Sequence, residues 1–200
     1  VSCESCHGGA KNWLDIHNIG DRRNGDNTAD AQAKSKAAGM LYPDDYANVA
    51  ANCYSCHIIT DEKLVNVGGH PAGSSDFELV AWMQGEVRHN FFNSKGKSND
   101  ATPIARRRML YVSGVMLDLE FSLRGLARAK EKADYGKFMG RSSGSARKKL
   151  DAVIEALGDS APAELKSVQE TVNKPGLLKF FNTDPLNAAA DEVAKGLKAF

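Results

Sequence analysis

The sequence predicts an all-α fold with little or no strand, and three observations carry that expectation. Apolar residues recur at helical spacing along most of the chain, helix-opening and helix-closing residues punctuate those stretches, and no segment alternates apolar with polar side chains as a half-buried strand does. With 200 residues, 42% hydrophobic and 26% charged, the chain is long enough for one domain and short for two.

The elements follow in order. In the opening stretch VSCESCHGGAKNWLDIHN, Ala10 to His17 reads as a helical turn or two, with Trp13 and His17 on one face at i and i+4. The polar run DRRNGDN at 21–27 reads as a surface loop. TADAQAKSKAAG at 28–39 is an Ala-rich helix closed by Gly39. YPDDYANVAANCYSCH places Pro43 at a first-turn position with acids beside it, which predicts a helix ending at His57.

In SSDFELVAWMQGEVRHNFF, Ser75 reads as an N-cap whose capping box Glu78 completes, and Phe77, Val80, Trp82 and Val87 supply apolar bulk. His89 then lies near the C-terminus of that helix. NSKGKSND at 93–100 is a second loop, and Thr102-Pro103 opens a long helix predicted to run to about Ala133, with Leu110, Leu117, Phe121 and Leu123 as its apolar stripe. Gly114 and Gly125 allow close approach on that helix. From Ser145, two amphipathic helices are divided by Gly158-Asp159-Ser160, with Pro162 at the second start, and a last helix follows Asp184-Pro185.

All four cysteines fall into two copies of one pattern, Cys3-Glu4-Ser5-Cys6-His7 and Cys53-Tyr54-Ser55-Cys56-His57. Cys-x-x-Cys-His is the attachment signature of c-type haem: two thiols bond the two vinyl groups on one porphyrin edge, and the adjacent imidazole is delivered to the iron. A zinc ribbon separates its pairs by about 15 to 20 residues and needs no following His, and a thioredoxin-like pair calls for a βαβ pattern that is absent here. The cofactors predicted are therefore two covalently attached haem c groups, held through Cys3, Cys6, Cys53 and Cys56, with His7 and His57 as proximal ligands.

His17, His70 and His89 are the distal candidates, and the five methionines are a weaker alternative because Met usually fills core space. Ten helical residues rise only about 15 Å, too little to pass round a ring edge, so His17 is expected to serve an iron other than that of His7. Thirteen extended residues span up to roughly 43 Å, so His70 can reach either iron. Of Arg106, Arg107 and Arg108, which point in three directions at helical spacing, at most one or two can face a haem carboxylate. Residues 1–95 thus form the haem-binding half of a single domain. Residues 101–200, with no Cys or His, form a helical extension expected to act as scaffold or partner surface.

Lys and Arg total 26 against 25 for Asp and Glu, giving a formal charge of +1 and no reason to expect nucleic acid as partner. No apolar run approaches the roughly 20 residues of a transmembrane helix. The chain begins with Val and lacks an export signal pattern, so it reads as processed or truncated.

The stretches CESCHGGAKNWLDIH, NCYSCH and VNVGGHPAGSSDFEL resemble, over about residues 1–92, the multihaem c-type cytochromes related to the tetrahaem electron carrier of ammonia oxidisers. The resemblance implies an all-α, haem-dominated core with closely spaced rings and a periplasmic or extracellular location. It also implies proximal His7 and His57, distal His17 and His70, and His89 as a third candidate. Family members commonly carry a further motif upstream, so this chain is either a two-haem variant or part of a larger cytochrome.

The function expected is electron transfer by mostly bis-histidine, low-spin haems between other redox proteins or cytochromes. Bis-histidine iron has no open position, and without a methionine ligand its potential should be low. The rival expectations are a redox enzyme with one five-coordinate haem acting on a small nitrogen or oxygen species, and a subunit that associates with further haem-bearing chains in a larger assembly or filament.

Overall fold

A computed structural model describes residues 2–17, 29–42, 45–74, 76–90 and 97–200. The fold is all-α: helices α1 (Cys3–His7), α2 (Ala29–Ala37), α3 (Tyr46–His57), α4 (Glu62–Asn66), α5 (Leu79–Ala81), α6 (Ile104–Arg128), α7 (Asp134–Leu157), α8 (Ala163–Val172) and α9 (Thr183–Ala199). Among the described residues there is no strand, only an isolated antiparallel bridge between Ile58 and Gly73. None of the described helices is long and apolar enough to cross a membrane. The positions proposed for Pro43, Ser75 and the 21–27 loop lie outside the described residues, as does part of the 93–100 loop.

The chain divides into two compact units, one made of Val1–Cys53 with Glu78–Tyr111 and the other of Tyr54–Phe77 with Val112–Phe200. In the first unit, a short 3-10 turn at Ala10–Asn12 follows α1. Ala10, Trp13, Met40 and Tyr42 close a small core against which Ala38 packs. The predicted stop at Gly39 is real, with a physical cause: Gly39 at φ 95 lets its N–H bond Lys36 O (3.0 Å) while Met40 N–H bonds Ser35 O (3.0 Å). That left-handed C-terminal arrangement satisfies two orphan carbonyls, and a side chain at Gly39 would strain it. It also sends Met40, Leu41 and Tyr42 back toward α1.

The second unit is a bundle of α6 to α9 on which the 54–77 segment is carried. Its core holds Met116, Leu119, Leu123 and Leu126 of α6, Tyr135, Met139, Ala146 and Leu150 of α7, and Leu165, Val168, Leu186 and Val193 from α8 and α9. Of the predicted stripe on α6, Leu110, Leu117 and Leu123 are buried. Close approach at Gly125 is also as expected: a Cβ there would lie 2.5 Å from the Met139 sulfur.

α6 stops at Arg128, short of Ala133, because the chain is captured there. The Glu62 carboxylate accepts the N–H groups of Lys130 (2.9 Å) and Glu131 (3.2 Å), and Asn66 Oδ1 accepts from Tyr135 N (3.0 Å) in the first turn of α7. α4 thereby caps the α6–α7 connection with side chains. α7 begins at Asp134, about three turns before the amphipathic run at Ser145. A Cβ on its Gly136 would meet Phe180 at 2.5 Å, so small size is needed there for packing.

Candidate functional site

Each Cys-x-x-Cys-His motif sits on a helix, so Cys at i and i+3 and His at i+4 lie on one side of a turn. On α1, Cys3 is exposed, Cys6 half-buried and His7 buried at 8% exposure. Ser2 precedes α1 as its N-cap, with its N–H bonded to Ser5 Oγ at 3.3 Å. His7 is tied twice to the chain that returns from Gly39: its Nδ1 lies 2.6 Å from Leu41 O, and Leu41 N donates to His7 O at 3.0 Å. With Nδ1–H donated to a carbonyl, Nε2 is the nitrogen left to coordinate, the usual outer-shell arrangement of a metal-binding imidazole.

His89 stands opposite. The two ring centres are 6.1 Å apart with planes at 89°. Two imidazoles that share one iron through Nε2, each at about 2 Å, hold their ring centres about 6 Å apart. Each ring plane contains its own metal–nitrogen bond, so crossed planes are compatible with that arrangement. His89 Nδ1 lies 3.0 Å from Val87 O, which again directs Nε2 outward.

The helix expected to deliver His89 is shorter than its sequence suggests. Glu78 itself is the N-cap, its carboxylate accepting from Val80 N (3.0 Å) and Ala81 N (2.8 Å). After α5 the backbone widens into a π-turn at Trp82–Glu86, a local form that recurs where helices are bent to serve a site. His89 therefore lies past the helix, and a side-chain clasp holds it. Asn99 Nδ2 donates to Arg88 O (2.9 Å) and Asn99 Oδ1 accepts from Asn90 N (2.6 Å), gripping the peptides on both sides of His89. Asn90 Nδ2 donates to Gln84 Oε1 (2.9 Å), which also accepts from Thr102 N (2.9 Å).

Within the first unit, Asn52 and Cys53 of α3 adjoin the first motif. Asn52 Nδ2 donates to Ser5 O at 2.7 Å. A hydrogen bond from Cys53 lowers the Cys6 thiol to about 6, against burial and with help from His89. Thiolate is the nucleophilic form of cysteine. Buried donors in this unit also fit a carboxylate-bearing ring: Trp13 Nε1, Thr102 Oγ1 and Arg107 Nε have no hydrogen-bond partner, and a carboxylate is an acceptor. Of the three consecutive arginines, Arg107 is thus the one with an inward, unsatisfied N–H.

In the second unit, His57 ends α3 half-buried, its carbonyl accepting from Ser74 N at 3.1 Å and its ring stacked on Phe77 at 3.9 Å. Burial lowers its pKa, favouring the neutral imidazole that metals bind. A cavity of about 230 Å³ opens beside it, walled by His57, Phe77, Asp118, Arg141, Ser142 and Lys149 among others. Tyr54 forms another part of the wall, its hydroxyl donating to Gly114 O at 2.9 Å.

Burial raises the Asp118 pKa, opposed by the Ser142 hydroxyl (3.0 Å) and Lys149. A carboxyl whose folded pKa exceeds its unfolded one costs stability above that pKa and ceases to as pH falls through it. Asp118→Asn, which keeps an acceptor for Ser142, is expected to raise Tm at pH 7, the gain fading as the pH is lowered into the carboxyl range. Thermal unfolding of both proteins across that range checks it, and an equal gain at every pH would count against it.

The remaining candidates lie apart from these contacts. His17 packs edge-on against Trp13 at 5.2 Å, as the i, i+4 spacing implied, with Nδ1 2.5 Å from Leu14 O. His70 is exposed, with Nδ1 2.7 Å from Pro71 O. Among the described residues no three His, Cys, Asp or Glu side chains gather as a chelating set. Sequence reasoning did not single out Asn99, Arg141 or Lys149. Arg141, Ser145 and Lys149 recur at i, i+4 and i+8 on α7, a polar stripe that carries the signal, whereas Asn99 lies in a loop with no pattern to mark it. Comparison of the chain with protein-family models, curated proteins and solved structures finds no match.

Proposed function

We propose that this chain is an electron carrier with two covalently attached c-type haems, the first held by Cys3 and Cys6 and ligated by His7 and His89. The observation that carries the reading is the His7–His89 pair, two imidazoles 6.1 Å apart, each with Nδ1 tied to a carbonyl. Haem iron, when bound, supplies a one-electron redox couple. The chain's part is to fix that couple's potential and surroundings. Two imidazole ligands leave no open position, which favours electron transfer over substrate turnover. Cys53, Cys56 and His57 hold the second ring, with His17 and His70 as candidates for its far face.

On this reading the chain works in the periplasm or outside the cell, exchanging electrons with other redox proteins or haem-bearing chains. The test is the intact mass and absorption spectrum of the protein produced with a c-type maturation system. Two haems per chain, low-spin when oxidised and unchanged by carbon monoxide when reduced, are expected. Any other haem count overturns the reading. Carbon monoxide binding to native protein overturns the closed-iron carrier in favour of the five-coordinate enzyme.

A further inference from the structure

We propose that the cavity beside His57 receives the carboxylate groups of the second haem, with Arg141 and Lys149 of α7 as their cationic partners. The assignment rests on the two-haem reading above and extends it to a helix from the half of the chain that bears no Cys or His.

The cavity has two characters. Its apolar wall comes from Ile58, Phe77 and Phe138, while later turns of α7 bring Arg141, Ser145 and Lys149. A porphyrin has the same two characters, an apolar ring with two carboxylates at one edge. Arg141 and Lys149 are eight residues apart, about 12 Å along a helix axis, so each can meet a separate carboxylate. The guanidinium matches a carboxylate with two parallel N–H donors, and the lysine acts as a point charge.

Asp118 is the one acid among the described residues of this wall, and an ionised carboxylate there would oppose the ligand. The Ser142 hydroxyl donates to it at 3.0 Å, and burial disfavours its charge, which weakens that opposition. Ser142 is thereby engaged, leaving Ser145 as the hydroxyl donor on the stripe.

Arg141, Lys148 and Lys149 are all exposed, so replacing them tests the contact without opening the core. In the holoprotein, Arg141→Leu and Lys149→Leu should each leave both haems attached by mass and lower one of the two midpoint potentials while the other stays. Removing a cation from the carboxylates destabilises the reduced, less positive iron centre. Lys148→Leu makes the same charge change one residue away, off the cavity wall, and should shift neither potential. Arg141→Lys should fall between Leu and native. Resonance Raman should show the carboxylate-bending modes displaced in Arg141→Leu and unchanged in Lys148→Leu.

Potentials that do not move, or that move equally in Lys148→Leu, overturn the assignment while leaving the carrier reading intact. A native protein with no haem on the peptide containing Cys53 and Cys56 overturns the two-haem reading itself. The mass measurement separates the two failures.

Discussion

Replacing His89 with alanine should convert half of the haem iron from low spin to high spin and make that half bind carbon monoxide on reduction, with both haems still attached. The geometry gives His89 one partner, His7, at the ring separation a shared iron requires. His7 follows Cys6 directly and is buried, so on the two-haem reading loss of His89 leaves the first iron held on one side only. His89→Met should keep the iron six-coordinate and raise its potential, since a thioether ligand favours ferrous iron over two imidazoles.

Asn99→Ala is the companion change. It removes both bonds that grip the peptides flanking His89, each worth about 1 kcal/mol, and leaves the imidazole itself in place. A mixture of spin states that depends on temperature is expected, and the low-spin form should return in Asn99→Asp to the extent that one oxygen can still accept from Asn90 N. An unchanged spectrum in His89→Ala removes His89 from the iron and reopens the choice among His17 and His70.

Why was so much of the fold legible, and the meeting of His7 with His89 not? Helix positions depend on local signals, and these are strong at the Ala-rich run closed by Gly39 and at Pro185 in the first turn of α9. The attachment motifs are also local, complete within five residues. Misplaced boundaries share a different cause. α6 ends early because Glu62, far away in sequence, captures Lys130 and Glu131, and the early start of α7 is held by Asn66, which accepts from Tyr135 N, with Gly136 leaving room for Phe180.

Ligand pairing is non-local in the same sense. Nothing in the spacing of His7 and His89 states that they meet. Their meeting depends on the return of the chain to Leu41, on a π-turn, and on an asparagine in the next loop. α7 was read as scaffold for lack of Cys and His, although its stripe of Arg141, Ser145 and Lys149 lines the cavity at His57. Residue types that bind a metal are easy to recognise in a sequence; those that surround its ring look like ordinary helix surface.

The second large effect is expected at Gly73. Substitution by alanine should destabilise the protein by about 1–3 kcal/mol, the usual cost of forcing atoms into a packed site, and valine should cost more. A Cβ at this position would lie 2.8 Å from Phe138 Cζ and 2.9 Å from His57 O. The ring has some freedom to move. The carbonyl does not, because His57 O already accepts from Ser74 N (3.1 Å), and Ile59 N from the same pairing donates to Ala72 O (2.9 Å). Relief therefore requires the 57–59 and 72–74 segments to separate, which shifts His57 and one wall of its cavity together. Unfolding in urea should show the loss in midpoint, and in the holoprotein the spectrum of one haem should broaden while the other is unaltered. Gly9→Ala is the control, since a Cβ there meets no atom within 4 Å and its φ of −56 suits alanine. It should leave stability unchanged or slightly raised. If Gly73→Ala unfolds with Gly9→Ala, the close approach of Gly73 to His57 is not what holds the second attachment site in place.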